Sequence, residues 1–345
     1  MVYLEGRRGF ALRLVEREKP EPGPGEALVR VLGCGVCGTD LHFLKNSEDW
    51  TPLGHEISGE VAALGYGVKS VSVGDRVAVE DVTACGCCEA CHNGDPGRCT
   101  GMVTLSGQAG MGEYLCVSER LLVPCAGLSA MEACFVEPLT VCVNAVLAAQ
   151  VPPCGTLAVW GLGPLGLMSI RVAKRFGAGR VLAVASRRDS ERNRVRAKLA
   201  RELGADEVLY STDADFAETL RAARQGRVDA VLVTSPPVTL PQAVETADYG
   251  SRIVPIGIDL GDHACVTIDV DRLILNKMSI VPVLSEPEVH FPLSVRLIRS
   301  GAIPVERLLT HRIALTDTER FHRIFAEDPG VIKAVVIPGG GEVDA

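Results

Sequence analysis

The sequence predicts an α/β fold of two domains, one rich in β-strands and one built on a parallel sheet. Three observations predict it. The length of 345 residues corresponds to about two domains of ordinary size. The first hundred residues are rich in Gly and β-branched residues and alternate short apolar segments with Pro/Gly turns, which is typical of a barrel-like or sandwich-like domain. From about residue 150, apolar strands alternate with amphipathic helices, and this repeat indicates β-α-β units.

The elements follow in chain order. Early strands are predicted at 27–32, 57–62 and 75–79, each an apolar segment bounded by turn residues. The repeat then predicts strand 156–160, helix 164–176, strand 180–185, helix 189–203, strand 207–210, helix 214–224 and strand 230–234. A helix at 291–300, a strand at 309–314, a helix at 316–325 and a strand at 333–337 follow, and 339–345 is predicted to fray.

Charge and apolar patterning exclude several classes of partner. Asp and Glu number 43 against 35 Lys and Arg, so the net charge is -8, and no basic stripe suits nucleic acid. Residues 1–13 lack the apolar segment of a signal peptide, which favours a cytoplasmic location. The uncharged stretch 138–170 is interrupted by Pro and Gly, so it predicts a buried helix and a buried strand, and no membrane partner is expected.

Four closely spaced cysteines predict a metal site. Cys85, Cys88, Cys91 and Cys99 allow one loop to surround a tetrahedral Zn²⁺ with no open position, so such a site would be structural. An accidental Cys-rich loop or a redox pair is the alternative. Cys87 lies inside the cluster as a spectator or a substitute ligand. Disulfides are disfavoured despite the 13 cysteines, because the cytosol is reducing.

A second set of metal-binding residue types is spread over separate segments. It comprises the segment 33–42, with the thiols of Cys34 and Cys37 and the imidazole of His42, then His55 with Glu56, and then Glu137. A catalytic Zn²⁺ uses such ligands, keeps one position open, and lowers the pKa of an alcohol hydroxyl. Each residue also has an ordinary explanation as a small apolar, surface or capping residue. The spacing alone therefore leaves both interpretations open.

A glycine-rich turn predicts a dinucleotide site. Gly161, Gly163 and Gly166, with Pro164 and Leu165 between them, follow an apolar strand and open a helix. The first glycine permits the tight turn, the second lets the backbone approach a pyrophosphate, and the third permits close helix packing.

The end of the next predicted strand carries no acidic residue for the ribose 2′-hydroxyl. It carries Ser186, Arg187 and Arg188 instead. A hydroxyl and two guanidinium groups suit a 2′-phosphate, so NADP(H) is preferred over NAD(H) as the cofactor. A solvated basic helix start is the alternative.

In this order, the motifs resemble those of the zinc-dependent medium-chain dehydrogenase/reductase superfamily over residues 12–337, nearest to its polyol, sugar and threonine dehydrogenase branch. The resemblance implies a GroES-like catalytic domain from 1–147 and 276–345, with a structural zinc lobe at 85–99. It also implies an inserted Rossmann domain, a doubly wound parallel sheet at 148–275. The active site is expected in the cleft between the domains.

The resemblance also implies roles for individual residues. Cys37, His55 and Glu137 would hold the catalytic zinc, and Glu56 would be an alternative or exchanging ligand, with water as the other candidate for the last position. A proton relay would use Thr39 and His42, and Lys333 would reach the cofactor phosphates. Alcohol dehydrogenases of other branches usually have Cys in place of the third-ligand Glu.

The activity implied is hydride transfer between NADP(H) and a secondary alcohol or ketone, with a polyol, sugar or cyclitol as substrate. Two zinc ions per chain and a homodimer or homotetramer are expected. Three alternatives share the fold. They are an enzyme that acts mainly as a ketone reductase in a biosynthetic pathway, a zinc-free quinone or enoyl reductase, and a non-catalytic zinc-binding scaffold. Segments 231–237 and 277–282 depart from the family pattern, and the substrate loops 46–50, 104–111 and 282–290 leave the substrate open.

Overall fold

The chain divides into two compact units in the computed structural model, which describes residues 1–259, 261, 264–284 and 289–339. The first unit comprises Met1–Thr140 and Glu286–Ala345, and the second comprises Val141–Ser285. The second boundary lies ten residues beyond the one predicted after residue 275. The reason is a two-residue strand, Ser279–Ile280, which pairs with the sheet of the second unit.

The strands are, in chain order, β1 (Val2–Arg7), β2 (Ala11–Glu16), β3 (Glu26–Gly35), β4 (Thr51–Pro52), β5 (Glu56–Leu64), β6 (Arg76–Val79), β7 (Val82–Thr83), β8 (Val103–Thr104), β9 (Tyr114–Ser118), β10 (Leu122–Pro124), β11 (Thr156–Trp160), β12 (Arg180–Ala185), β13 (Glu207–Tyr210), β14 (Ala230–Val233), β15 (Arg252–Pro255), β16 (Ser279–Ile280), β17 (Leu309–Ala314) and β18 (Lys333–Ile337).

The helices are, in chain order, α1 (Gly38–Asn46), α2 (Glu89–His92), α3 (Ala130–Ala133), α4 (Val136–Ala149), α5 (Pro164–Arg175), α6 (Glu191–Glu202), α7 (Phe216–Arg224), α8 (Leu240–Thr246), α9 (Val270–Leu275), α10 (Phe291–Arg299), α11 (Val305–Leu308) and α12 (Thr318–Glu327). Helix α6 begins two residues later than predicted, because Ser190 caps it by accepting a hydrogen bond from the Asn193 N–H at 3.4 Å.

The first unit is built mainly on a seven-stranded sheet. Its order is β10-β6-β5-β3-β18-β17. The seventh strand, β9, pairs with the first half of the long strand β3, whereas β18 pairs with its end. The pairs are antiparallel except for β17 and β18, which run parallel. A three-stranded sheet, β2-β1-β4, and the short pair β7-β8 complete the unit. Apolar side chains such as Leu44, Ile57 and Phe321 are fully buried in its core.

The second unit contains one parallel sheet of six strands in the order β13-β12-β11-β14-β15-β16. Counted from β11 as the first strand, this is the order 3-2-1-4-5-6 of dinucleotide-binding sheets. Strands β11, β12 and β13 have the predicted bounds, because buried parallel strands are continuous apolar segments that are distinct from the helices between them.

Two sequence predictions fall partly outside the described residues. The tail predicted at 339–345 lies outside them apart from Gly339, and the substrate loop 282–290 lies outside them at 285–288. Among the helices that are described, none has the length and apolar character needed to cross a bilayer.

Candidate metal centres and cofactor loop

A buried carboxylate fixes the two segments that carry Cys37 and His55. Cys37 precedes helix α1, and its backbone N–H donates to Asp40 Oδ2 at 2.8 Å. The other oxygen, Oδ1, accepts the N–H of Gly54 at 2.9 Å. Asp40 is only 1% exposed. The sequence analysis did not identify Asp40, although an acidic residue three positions after a helix cap is a recognisable capping signal.

Gly54 sets the direction of the chain into His55 and β5. Its φ of +92° lies in the left-handed region, which costs a residue with a side chain more than it costs glycine. A Cβ at this position would also overlap Cys34 Sγ and Met111. The turn therefore places His55 and Glu56 at the start of β5, next to the segment that Asp40 holds.

Cys37, His55 and Glu56 form one cluster of ligand atoms. One atom from each residue lies within 4.8 Å of the other two. Burial alone would lower the pKa of His55, but its contact with Cys37 and the charges of Asp40 and Glu137 raise this pKa well above its usual value. The imidazole thus lies in a strongly negative environment. A thiol, an imidazole and a carboxyl in such an environment fit a divalent zinc ion.

Glu137 lies near this cluster but does not join it. It is in the first turn of α4 and 6% exposed, and it is absent from the group whose ligand atoms are all within 4.8 Å of one another. Burial and the Asp81 carboxylate raise the pKa of Glu137 to about 8, although His55 opposes the shift. The role of Glu137 as a zinc ligand stays a prediction.

Asp81 is a further carboxyl near the cluster that the sequence analysis missed. Burial raises its pKa above the usual value, while the charge of His55 acts in the opposite direction. Its Oδ1 atom is buried and makes no hydrogen bond within the described part of the chain. A single Asp between two short strands gives no sequence signal of this placement.

Lys333, for which the resemblance implies a contact with the cofactor phosphates, lies beside Glu56 in the structure. Its ammonium forms an ion pair with Glu56 and donates a hydrogen bond to the Val36 carbonyl at 3.0 Å. Burial alone would lower the pKa of Lys333, but Glu56 raises it above its usual value, so the ammonium is retained. A contact between Lys333 and cofactor phosphates would require this buried pair to open. Strand pairing accounts for the difference, since β18 places Lys333 beside β3.

Thr39 and His42, the predicted relay residues, both lie on α1. The Thr39 hydroxyl is 3.7 Å from Cys37 Sγ. His42 lies one helical turn further along, where its ring contacts the Asn46 amide at 3.1 Å. The structure thus places Thr39 beside Cys37, whereas His42 is half-buried and pairs with Asn46.

The four cysteines of the lobe meet as predicted. Cys85, Cys88, Cys91 and Cys99 offer sulfur atoms that all lie within 4.8 Å of one another. The Cys88 sulfur is 3.5 Å from that of Cys91 and 3.8 Å from that of Cys99. Four sulfurs around one zinc at about 2.3 Å would be about 3.8 Å apart, so the lobe fits a closed zinc site. None of these cysteines forms a disulfide.

Backbone donors favour the thiolate form within the lobe. The N–H groups of Cys91 and Thr100 lower the pKa of Cys88 to about 5, while burial and the neighbouring Cys88 raise the pKa of Cys91 to about 12. The exposed thiol of Cys87 is not in the four-sulfur group. A thiolate held by N–H donors is ready to bind a metal ion.

The glycine turn of the second unit has the predicted geometry. Gly161 has a φ of +93°, and Gly163 precedes α5 with open space where a side chain would be. A Cβ at Gly166 would overlap the Gly161 carbonyl oxygen. Thr234, in a segment that departs from the family pattern, donates to that carbonyl at 2.9 Å and so supports the turn. The open backbone before a helix N-terminus fits a pyrophosphate.

Ser186, Arg187 and Arg188 follow β12, at the carboxyl end of the strand. Ser186 Oγ accepts a hydrogen bond from the Asn193 amide at 3.2 Å. Arg187 forms an ion pair with Asp189 at 2.9 Å, and Arg188 forms one with Asp213 at 2.6 Å. Both guanidinium groups are largely exposed, so each remains accessible to an anionic ligand.

Two family models match the chain. One, described as an alcohol dehydrogenase GroES-like domain, matches residues 23–127. The other, described as a zinc-binding dehydrogenase, matches residues 164–298. These matches confirm the predicted fold class, in which a GroES-like domain is combined with a Rossmann domain.

Curated relatives match along nearly their whole length. L-threonine 3-dehydrogenase of Pyrococcus horikoshii is 33% identical over 328 residues, which cover 90% of this chain and 91% of that protein. Sorbitol dehydrogenase of Bacillus subtilis is 29% identical over 314 residues, which cover 87% of this chain and 86% of that protein.

Solved structures match as well. An alcohol dehydrogenase of Escherichia coli in complex with NADH has a TM-score of 0.85 and 27% identity, covering 98% of this chain and 99% of that one. A zinc-binding dehydrogenase of Sinorhizobium meliloti bound to NADP has a TM-score of 0.83 and 25% identity with the same coverage.

Proposed function

Because the chain belongs to the zinc-dependent medium-chain dehydrogenase superfamily, whose members act on CH–OH donors, we propose that it transfers hydride between NADP(H) and a secondary alcohol or its ketone. A polyol, a sugar or a cyclitol is the proposed substrate class. The observation that carries the proposal is the cluster of Cys37, His55 and Glu56, whose ligand atoms lie within 4.8 Å of one another. A carboxyl at Glu137, where other branches usually have Cys, supports the substrate class.

The chain's own residues have separate tasks in this proposal. When bound, zinc supplies a Lewis acid that favours loss of the alcohol proton, and the nicotinamide exchanges the hydride. Cys37 and His55 hold the ion, with Glu137 as the third proposed ligand. The Thr39 hydroxyl, 3.7 Å from Cys37 Sγ, would accept the alcohol proton while it releases its own to the cofactor ribose, and His42 would take the proton from there to solvent.

The preference for NADP(H) is supported by the residues after β12. Ser186 offers a hydroxyl, and Arg187 and Arg188 offer guanidinium groups, which pair well with phosphate. The nearest acidic residue along the chain, Asp189, is bound to Arg187 and so does not compete as a ribose ligand. Solved relatives bind NADH in one case and NADP in another, so the local residues decide the preference.

One experiment tests the proposal as a whole. Zinc per chain is measured by elemental analysis, NADPH and NADH are titrated by fluorescence, and turnover is assayed with polyols and keto sugars. We expect about two zinc ions per chain, tighter binding of NADPH, and turnover with at least one secondary alcohol or ketone. A single zinc ion without cofactor preference would contradict both the Cys37 site and the role of Arg187.

The contribution of Arg187 can be measured separately. Arg187→Ala removes a charge-assisted contact to the 2′-phosphate, so the Kd for NADPH should rise about tenfold to a hundredfold while that for NADH changes little. Arg221→Ala is the matched control, since Arg221 is an exposed arginine on α7. Equal weakening of both cofactors would indicate a role other than recognition of the 2′-phosphate.

A homodimer or homotetramer is proposed on the basis of an open sheet edge. Within the described residues, β16 ends the six-stranded sheet, and no strand pairs with its outer edge. The nearby helix α9 exposes apolar side chains, including Leu275 at 76%. An open edge beside apolar surface favours association. Sedimentation equilibrium that returned a monomer mass would contradict this expectation. The cytoplasmic location stays a prediction.

A further inference from the structure

The buried ion pair between Lys333 and Glu56 has no role in the hydride transfer described above. Lys333 is 3% exposed and Glu56 is 1% exposed. The Lys333 ammonium also donates to the Val36 carbonyl at 3.0 Å. A lysine that is buried this completely is unusual and is found almost only with a partner. The pair therefore calls for a specific explanation.

Strand pairing brings these residues together from distant parts of the sequence. Strand β3 lies between β5 and β18, with Gly35 opposite Glu56 on one side and opposite Val335 on the other. A Cβ at Gly35 would overlap the Glu56 carboxylate. Glycine at this position thus makes room for the Glu56 side chain between the strands, where Lys333 contacts it.

The Glu56 carboxylate also lies within reach of the metal cluster. Its ligand oxygen is within 4.8 Å of the ligand atoms of Cys37 and His55. A single carboxylate thus faces two cationic sites, the Lys333 ammonium and the metal ion proposed at Cys37 and His55. Only one of these cations, Lys333, is fixed by a backbone contact.

We infer that Lys333 is a positioning residue that retains the Glu56 carboxylate as its own partner and thereby leaves one ligand position on the metal open. This inference rests on the proposed function, because it requires the metal at Cys37 and His55. Lys333 acts through Glu56 and touches neither substrate nor cofactor in this role. Loss of the ammonium would leave the metal as the remaining cation for a buried carboxylate.

The test uses the full-length protein loaded with cobalt(II), whose visible bands change in energy and intensity when one ligand is replaced by another or added. Four variants are compared with the wild type: Lys333→Met, Lys333→Arg, Glu56→Gln and the double variant K333M/E56Q. Cys37→Ser supplies the spectrum of the Cys85–Cys99 lobe, which is subtracted. The rate of cobalt release to a chelator is measured on the same samples.

We expect Lys333→Met to shift the visible bands and to slow cobalt release about tenfold, because Glu56 takes the ligand position that is otherwise open. Lys333→Arg keeps the charge and should retain the wild-type bands. Glu56→Gln should leave the bands unchanged, since the carboxylate is not a ligand while Lys333 holds it. The double variant K333M/E56Q should return to the wild-type bands and release rate.

Two results would overturn the inference. Wild-type bands and release rate in Lys333→Met, whatever its melting temperature, would make the lysine merely structural. Altered bands in Glu56→Gln would show that Glu56 is already a ligand in the wild type, and this measurement decides the matter if Lys333→Met does not fold.

Failure of the proposed metal centre itself has a different signature. The wild type would then bind one cobalt ion and match Cys37→Ser in both content and spectrum, which overturns both proposals. If the wild type binds two cobalt ions but Lys333→Met has the same visible bands and release rate as the wild type, only the role of Lys333 is overturned.

Discussion

Cys37→Ala is expected to reduce kcat by at least about 10³-fold while the protein stays folded. The variant removes the thiolate from the cluster that Cys37 forms with His55 and Glu56. Without it, the proposed zinc ion loses its only sulfur ligand at this site, and the Lewis acid that favours loss of the alcohol proton is lost with it. The backbone N–H of residue 37 still donates to Asp40, so the local fold is preserved.

The measurement pairs turnover with zinc analysis and thermal unfolding. We expect about one zinc ion per chain in place of about two, with a melting temperature close to that of the wild type. Cys265→Ala, which removes an exposed thiol of the second unit, is the control for general effects of losing a cysteine. Full activity in a folded, zinc-poor Cys37→Ala protein would rule out the proposed mechanism.

Cys88→Ser has the second largest expected effect, and it acts on stability. The 15-residue loop from Cys85 to Cys99 is closed by four sulfurs within 4.8 Å of one another. Closing a loop of this length contributes about 3 kcal/mol in the chain-entropy model. For a unit of this size, losing that contribution should lower the melting temperature by about 6–12 °C. Loss of zinc and faster proteolysis within 85–99 should accompany the change.

Cys87→Ser is the matched control for this prediction. Cys87 lies one position before Cys88, but its thiol is exposed and outside the four-sulfur group. We expect this variant to keep its zinc and its melting temperature, which would identify Cys87 as a spectator. Zinc loss from Cys87→Ser but not from Cys88→Ser would mean that the ligands of the lobe are wrongly assigned.

Features encoded by local sequence could be predicted well. The bounds of β11, β12 and β13 follow from apolar segments, and the four-sulfur lobe follows from the spacing of its cysteines. The turn at Gly161 follows from glycines placed between a strand and a helix. In each case the residues that determine the feature lie within a few positions of one another.

Features that depend on distant pairing could not be predicted. Lys333 and Glu56 are 277 residues apart, and only the insertion of β18 beside β3 brings them together. The resemblance implies a phosphate contact for Lys333, and the local sequence gives no sign that Glu56 is its neighbour. The domain boundary near residue 276 has a similar cause, since β16 is too short to produce a recognisable apolar pattern.

The contacts of Asp40 imply that the two proposed zinc sites form in different orders: the Cys37 site is aligned before zinc binds, and the lobe is organised by zinc. The hydrogen bonds of Asp40 to the N–H groups of Cys37 and Gly54 join protein atoms only, so the segments carrying two ligands are aligned by folding alone. Zinc can then leave that centre and return to it without refolding of the chain. In the lobe, the described residues show no carboxylate that joins the loop segments in this way, and there the ion itself must organise the loop. Removal of zinc by a mild chelator should therefore be reversible at the Cys37 site. In the lobe, the same removal should unfold the loop.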